Sequence, residues 1–347
     1  MIYRPPPVFW AVRLRRNCST MGMKMIDSKT TLIQGVIAAG MIAFSALGWQ
    51  PLTIAGTVAM ANEARVSTNV KAEAPIALMH IHGLSYSADG KKILIPSHHG
   101  IAVYEQDNWF TMAGPKHDYM GFSATRSALY SSGHPAPGSG LLNPFGLIKS
   151  TDGGQSWQKL GLEGESDFHT LATSYGTNAV YVLNHQPNSR MKETEIYVTK
   201  SDGMTWSRGA ASGLKAKINS LAVHPDDADI LAAGTGNGLY LSRDAGNHFE
   251  QQVSGKQVLA QWFDLDGERL WFGSYAGGPM LSRIALAGDA KADPIQIPVA
   301  ADDAIAYIAQ NPIRHEELAI ATFKRSVYVS RDQGATWTQI AKEGATL

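Results

Sequence analysis

Short apolar runs broken by Gly, Asp, Asn and Pro recur along this chain from about residue 78 to its end. Leu84–Ser87, Lys92–Pro96, Ile101–Glu105 and Trp109–Met112 follow one another with polar turns between them. Asp89-Gly90, between the first two runs, is a strong hairpin signal. Further on, Asn219–Val223, Ile230–Ala233 and Gly238–Leu241 repeat the pattern. Runs this short, punctuated this often, predict strands and an all-β chain.

One octet recurs among the turns. Ser150–Trp157 reads Ser-Thr-Asp-Gly-Gly-Gln-Ser-Trp, the pattern S-x-D-x-G-x-x-W. Ser330–Trp337 repeats it in full, with Asp332 and Gly334 in register. Ser242–Phe249 keeps Ser242, Asp244 and Gly246 but has Phe for Trp, and Thr199–Trp206 is a looser copy with Ser201 where Asp is expected. Ser150 and Asp152 can hydrogen-bond the backbone of a tight turn. Gly154 suits the positive φ such a turn needs. Trp157 then opens the next strand and buries a large apolar surface. The octet reads as a structural staple for a hairpin, not as catalytic machinery.

Its spacing predicts the architecture. The intervals Trp157–Trp206, Trp206–Phe249 and Phe249–Trp337 are 49, 43 and 88 residues, and the last is two periods of 44, so one unit lacks its octet. Such a period with strand content predicts propeller blades of four strands each. Six units fit: His80–Met112, His117–Leu160, Asp167–Gly209, Lys217–Gln252, Gln257–Ile297 and Ala304–Ile340. A seventh would need about 40 further residues. Val66–Val70 is a candidate extra strand tying the start of the domain to its last unit.

These octets resemble the Asp-box (BNR) repeat of the sialidase-like β-propellers, and the likeness extends over about residues 78–341. The resemblance implies that the first strand of each blade lines a central channel. It also implies that the loop leading into that strand and the loop between the second and third strands open on one face, with the octet turns on the other. A functional site is then expected in the first set of loops. Exported bacterial propellers of this kind are labelled glycosyl hydrolases, which makes a hydrolase one expectation.

Residues 1–61 read as a leader, 62–77 as a linker and 78–347 as the propeller. Met21, Met23 and Met25 are alternative starts. Lys24 and Lys29 precede the apolar stretch Leu32–Leu47, and Ala59-Met60-Ala61 fits a cleavage signal. This predicts a signal peptide and a periplasmic or extracellular protein; the length of the apolar stretch leaves an uncleaved membrane anchor as the alternative. Cys18, the one cysteine, lies in the leader, so the propeller has neither disulfide nor thiolate ligand. Without the leader, 24 of the 30 basic and 29 of the 30 acidic residues remain, a net charge of −5 that argues against a nucleic-acid partner.

The histidines carry the candidate chemistry. Of 11, eight fall in the two loop classes of the first three units: His80, His82, His98, His99, His117, His134, His169 and His185. Asp118 and Asp167 accompany them. The corresponding loops of the last three units offer Asn219, Asn237, Trp262, Tyr275, Asp302, Asp303 and Lys324 instead. His224, His248 and His315 read as structural or solvated. Converging imidazoles suit a transition metal, zinc or copper, and Met79 and Met120 nearby tilt the choice towards copper. His80, His82, His98, His99, His134, His169 and His185 are the candidate metal ligands. Hydrogen-bonded channel packing, or a pocket for a small polar ligand, accounts for the same residues.

Two other functions remain open at this point. A glycosidase needs a pair of carboxylates, for which Asp118, Asp167, Asp302 and Asp303 are the candidates. The arginines do not suit a typical sialidase: Arg243, Arg283 and Arg331 adjoin the octets or their relic, Arg126 falls in a turn, and only Arg190 and Arg325 lie in suitable loops. An envelope scaffold that docks another protein is the second alternative. No nucleotide fingerprint is present, so no nucleotide cofactor is expected.

Overall fold

The computed structural model describes residues 76–288 and 291–347. The expected leader, Cys18 and the candidate strand Val66–Val70 lie outside the described residues. Among the described residues no helix is long and apolar enough to cross a membrane.

Among the described residues, twenty-five strands build six antiparallel sheets, each made of strands consecutive in sequence. The first blade is β1 (Ser85–Tyr86), β2 (Ile93–Ser97), β3 (Gly100–Glu105) and β4 (Asn108–Thr111). The second is β5 (Asp118–Ala124), β6 (Leu129–His134), β7 (Leu147–Ser150) and β8 (Gln158–Gly161). The third is β9 (Leu171–Thr173), β10 (Val180–Leu183), β11 (Ile196–Thr199) and β12 (Ser207–Gly209). The fourth is β13 (Ile218–Val223), β14 (Leu231–Thr235), β15 (Gly238–Ser242) and β16 (Glu250–Ser254). The fifth is β17 (Gln257–Phe263), β18 (Arg269–Tyr275), β19 (Pro279–Ala285) and β20 (Asp293–Ile295). The sixth is β21 (Ile305–Gln310), β22 (Leu318–Thr322), β23 (Val327–Ser330) and β24 (Thr338–Lys342), with a short β25 (Ala345–Thr346) on its edge. This is a six-bladed β-propeller, as the repeat spacing predicts.

Middle strands are apolar on both faces because each blade is packed between two others. The core accordingly divides into six clusters, one for each contact between neighbouring blades. Ile95 and Tyr104 of the first blade meet Ala319 and Val329 of the sixth. Leu94 and Val103, on the other face of the same first-blade strands, meet Tyr119 and Phe122 of the second. Alternation with a period of two thus feeds two clusters from one strand.

The ring closes without sharing a sheet between the first and last blades. Ala77 bridges Ala345, the Leu78 N–H donates to the Gly344 carbonyl at 2.8 Å, and the Thr346 hydroxyl donates to the Ile76 carbonyl at 3.0 Å. On the opposite face, Asn311 Nδ2 and Arg314 Nη2 both donate to the Gly90 carbonyl.

All four octets form turns between the third and fourth strands of their blades. In the first, the Ser150 hydroxyl donates to Asp152 Oδ1 and accepts the Gly154 N–H, while Asp152 Oδ1 also accepts the Ser156 N–H. The same bonds recur around Ser242 and Asp244, and around Ser330 and Asp332. In the loose copy Thr199 Oγ1 accepts the Gly203 N–H and Ser201 Oγ accepts the Thr205 N–H. A hydroxyl thus takes over the carboxylate's role. Asp202 is left to receive the Tyr130 hydroxyl and the Lys149 ammonium of the preceding blade.

Asp264, in the turn between β17 and β18, is buried and accepts the Trp271 indole N–H at 2.7 Å. Burial pushes its carboxyl up from 3.8 to about 6. The native state therefore holds the proton more tightly than the unfolded chain. The stabilisation is full below about pH 4 and is lost as pH rises through about 6. Asp264→Asn keeps an acceptor and removes the charge. Urea denaturation should show the variant more stable than wild type above pH 6, by at most about 3 kcal/mol, with no gain near pH 4.

Candidate metal centre

Three consecutive blades bring their histidine-bearing loops together on the face away from the octet turns. His80 and His82 lie in the extended segment between Leu78 and β1. Leu78 is buried and bonded to Gly344, Arg325 Nη1 donates to the Met79 carbonyl at 3.1 Å, and the His82 N–H donates to the Pro96 carbonyl at 3.1 Å. These bonds pin the segment on both sides of the imidazoles. His98 sits in the turn from β2 to β3.

The three rings form a cluster, with centroid separations of 4.5 Å for His80–His98, 4.8 Å for His82–His98 and 5.8 Å for His80–His82. One ligand atom from each lies within 4.8 Å of the others. Asp118, the first residue of β5, reaches across from the second blade. Its Oδ2 is 2.8 Å from His98 Nδ1, and its Oδ1 is 3.6 Å from His82 Nε2. Both His82 Nε2 and Asp118 Oδ1 are buried and have no hydrogen-bond partner. Burial pushes the His82 imidazole down to about 4, and the adjoining His98 and His80 add to this, so the Asp118 carboxylate is outweighed. A neutral imidazole is the form that binds a metal.

A second group joins the second and third blades. His134 Nε2 lies 3.1 Å from Asp167 Oδ2, and His169 Nε2 lies 2.5 Å from the same oxygen. The other carboxylate oxygen of Asp167 is buried without a partner. His134 Nδ1 is held by Asn143 Oδ1 at 2.7 Å, which fixes the ring with Nε2 towards Asp167. The bond to Asp167 raises the His169 imidazole above its ordinary value.

Backbone conformation sets these positions. Asp118 pairs directly with His134 across β5 and β6. Within β5 the register shifts between Met120 and Ser123, where Gly121 has φ +49°. A Cβ there would stand 1.9 Å from the Phe168 carbonyl oxygen. Only glycine allows β5 to come this close to the segment carrying Asp167 and His169. Gly133, beside His134, is equally confined: a Cβ would meet the Asp118 carbonyl oxygen at 2.1 Å.

Five of the seven candidate ligands therefore belong to the two groups. His99 and His185 are exposed and belong to neither. His117, buried, accepts the Ala136 N–H on Nδ1 and packs on Tyr119 and Phe145. Met120 is buried in β5, and Met79 is exposed beside His80. Of the four candidate carboxylates, only Asp118 and Asp167 stand among the imidazoles. Asp302 is paired with Lys324, and Asp303 Oδ1 accepts the backbone N–H groups of Ala304 and Lys324. Arg190 Nη1 donates to the Gly203 carbonyl in the octet turn of the third blade, and Arg126 lies over Tyr175 beside a turn. His224 accepts the N–H groups of Asp226 and Asp227, a structural role.

Sequence reading missed Asn143 and the two confined glycines. Asn143 lies in a loop whose path no periodicity describes, and a glycine's clash partners are known only once the chain is folded. In the central channel a cavity of about 220 Å³ is lined by His82 and His169 and, from the later blades, by Asn219, Gln261, Trp262 and Tyr307.

No protein-family model and no curated protein sequence matches this chain. Among solved structures it is similar to a GH74 enzyme from Niastella koreensis, with 14% identity and a TM-score of 0.54, covering 77% of this chain and 46% of that one. The chain thus spans less than half the length of that enzyme. A structure of YCF48 bound to D1 peptide aligns at 17% identity and a TM-score of 0.46, over 77% of this chain and 82% of that one. YCF48 from Cyanidioschyzon merolae aligns at 16% and 0.46, over 78% and 87%. What the chain shares with the GH74 enzyme at this identity is its fold.

Proton NMR of metal-stripped protein gives a direct check on the site's electrostatics. The His82 ring should titrate at about 4 and the His169 ring above 6.5. A His82 ring titrating at 6.5 or above would contradict the dry environment described here.

Proposed function

We propose that this protein is an exported propeller of the Asp-box kind that binds a transition metal, zinc or copper, through His80, His82 and His98 with Asp118 beside them. One observation carries the reading. His82 Nε2 and Asp118 Oδ1 are buried, have no hydrogen-bond partner and face each other at 3.6 Å beside two further imidazoles. Buried polar atoms without partners are costly unless something satisfies them. A tetrahedral ion with bonds of about 2.0–2.1 Å holds its ligands about 3.4 Å apart. The carboxylate and imidazole already stand near that spacing, and His80 and His98 each offer a ligand atom within 4.8 Å of that of His82.

Three imidazoles and a carboxylate suit zinc, and imidazole also suits copper. The leader pattern supports placing this activity outside the cytoplasm, as storage, delivery or sensing of the metal. A glycosidase-like reading takes its support from the fold shared with the GH74 enzyme. It is the weaker one, because Asp302 and Asp303 are engaged by Lys324 and by backbone N–H groups.

Metal content after dialysis tests the proposal. The full chain, exposed separately to zinc and copper, should retain metal. His80→Ala/His82→Ala should lose one equivalent, and Asp118→Asn should bind at least about 10-fold more weakly, since loss of a ligand costs no less than loss of a group that merely supports one. Unchanged metal content in the double variant would refute the assignment.

A further inference from the structure

The second group of side chains is too well arranged to be only a neighbour of the first. We propose that His134, Asp167 and His169 hold a second divalent transition-metal ion, so that the channel mouth carries a two-metal centre. This rests on the first site being a metal site.

Three observations converge on it. One ligand atom from each of the three residues lies within 4.8 Å of the others. Two imidazole nitrogens crowd a single oxygen, Asp167 Oδ2, at 3.1 and 2.5 Å, while Asp167 Oδ1 is buried with nothing to bond. A carboxylate that is over-served on one oxygen and orphaned on the other is poised to turn both groups towards a cation. Finally, His134 is held through Nδ1 by Asn143, leaving Nε2 for a metal. A ligating histidine held through its other nitrogen by a hydrogen-bonding partner is the usual supporting arrangement.

The two groups share a frame. Asp118 of the first and His134 of the second are paired residues on β5 and β6. Paired residues in an antiparallel ladder have Cα atoms about 4.5–5.5 Å apart. His82 of one group and His169 of the other line the same cavity. A small anionic molecule in the channel would therefore meet both ions, a use that neither ion alone allows.

Binding stoichiometry of the full chain decides the matter. Metal-stripped protein titrated with zinc should take two equivalents. His134→Ala/His169→Ala should remove one and leave the other in place, and His80→Ala/His82→Ala should do the converse. Loaded with copper(II), wild type should show a magnetically coupled EPR signal, and either double variant an isolated-copper signal. Asp167→Asn, which preserves shape, should weaken the second equivalent alone. Asn143→Ala should weaken it about 10–100-fold. One equivalent in wild type, unaffected by His134→Ala/His169→Ala, would overturn the second site and leave the first standing. No bound metal at all would overturn both.

Discussion

The structure depends on closing a ring. Each blade buries its two faces against its neighbours, so the first and last blades have exposed faces until they meet. Ile95, Tyr104, Val329 and Ile340 form the cluster that covers them. Leu78 joins that cluster and is bonded to Gly344. His80 and His82 follow Leu78 within a few residues, so the contact that closes the fold also places the first two imidazoles.

Stability and chemistry are divided between the two faces. The octet turns satisfy their own backbone with Ser, Asp and, in one blade, Thr and Ser alone. They repeat because the hairpin they staple repeats. The opposite face does not repeat. Imidazoles and carboxylates come from the first three blades, whereas Asn219, Trp262 and Tyr307 come from the others. A ring of similar blades thus gives one mouth two unlike halves, a side rich in imidazoles and an aromatic side.

Within the imidazole-rich half, burial and charge compete. His82 stands beside a carboxylate that should favour its protonated form, yet desolvation holds it neutral. Nearby, His169 is more open and the bond to Asp167 prevails. The same pair of residue types is tuned in opposite directions by exposure. Desolvation grows steeply as water is excluded, whereas a neighbouring carboxylate offers one favourable contact.

Much of the architecture was legible from the order of residues. Trp157, Trp206, Phe249 and Trp337 mark a period that, with short strand-like runs inside it, fits four-stranded units. The concentration of histidine in matched loops of three blades was equally visible, because loop class follows from position in the repeat. Which of those histidines meet was not. His99 adjoins His98 yet faces solvent, because successive residues in an extended turn point different ways. Asp302 and Asp303 occupy loops equivalent to those of Asp118 and Asp167, but Lys324 and the backbone claim them. The closeness of Asp167 to His134 needs Gly121 to admit the Phe168 carbonyl and Asn143 to hold a ring. Periodicity is a local property of the chain and sets the blades; the site is made of side-chain separations across blades, and only the closed ring determines those.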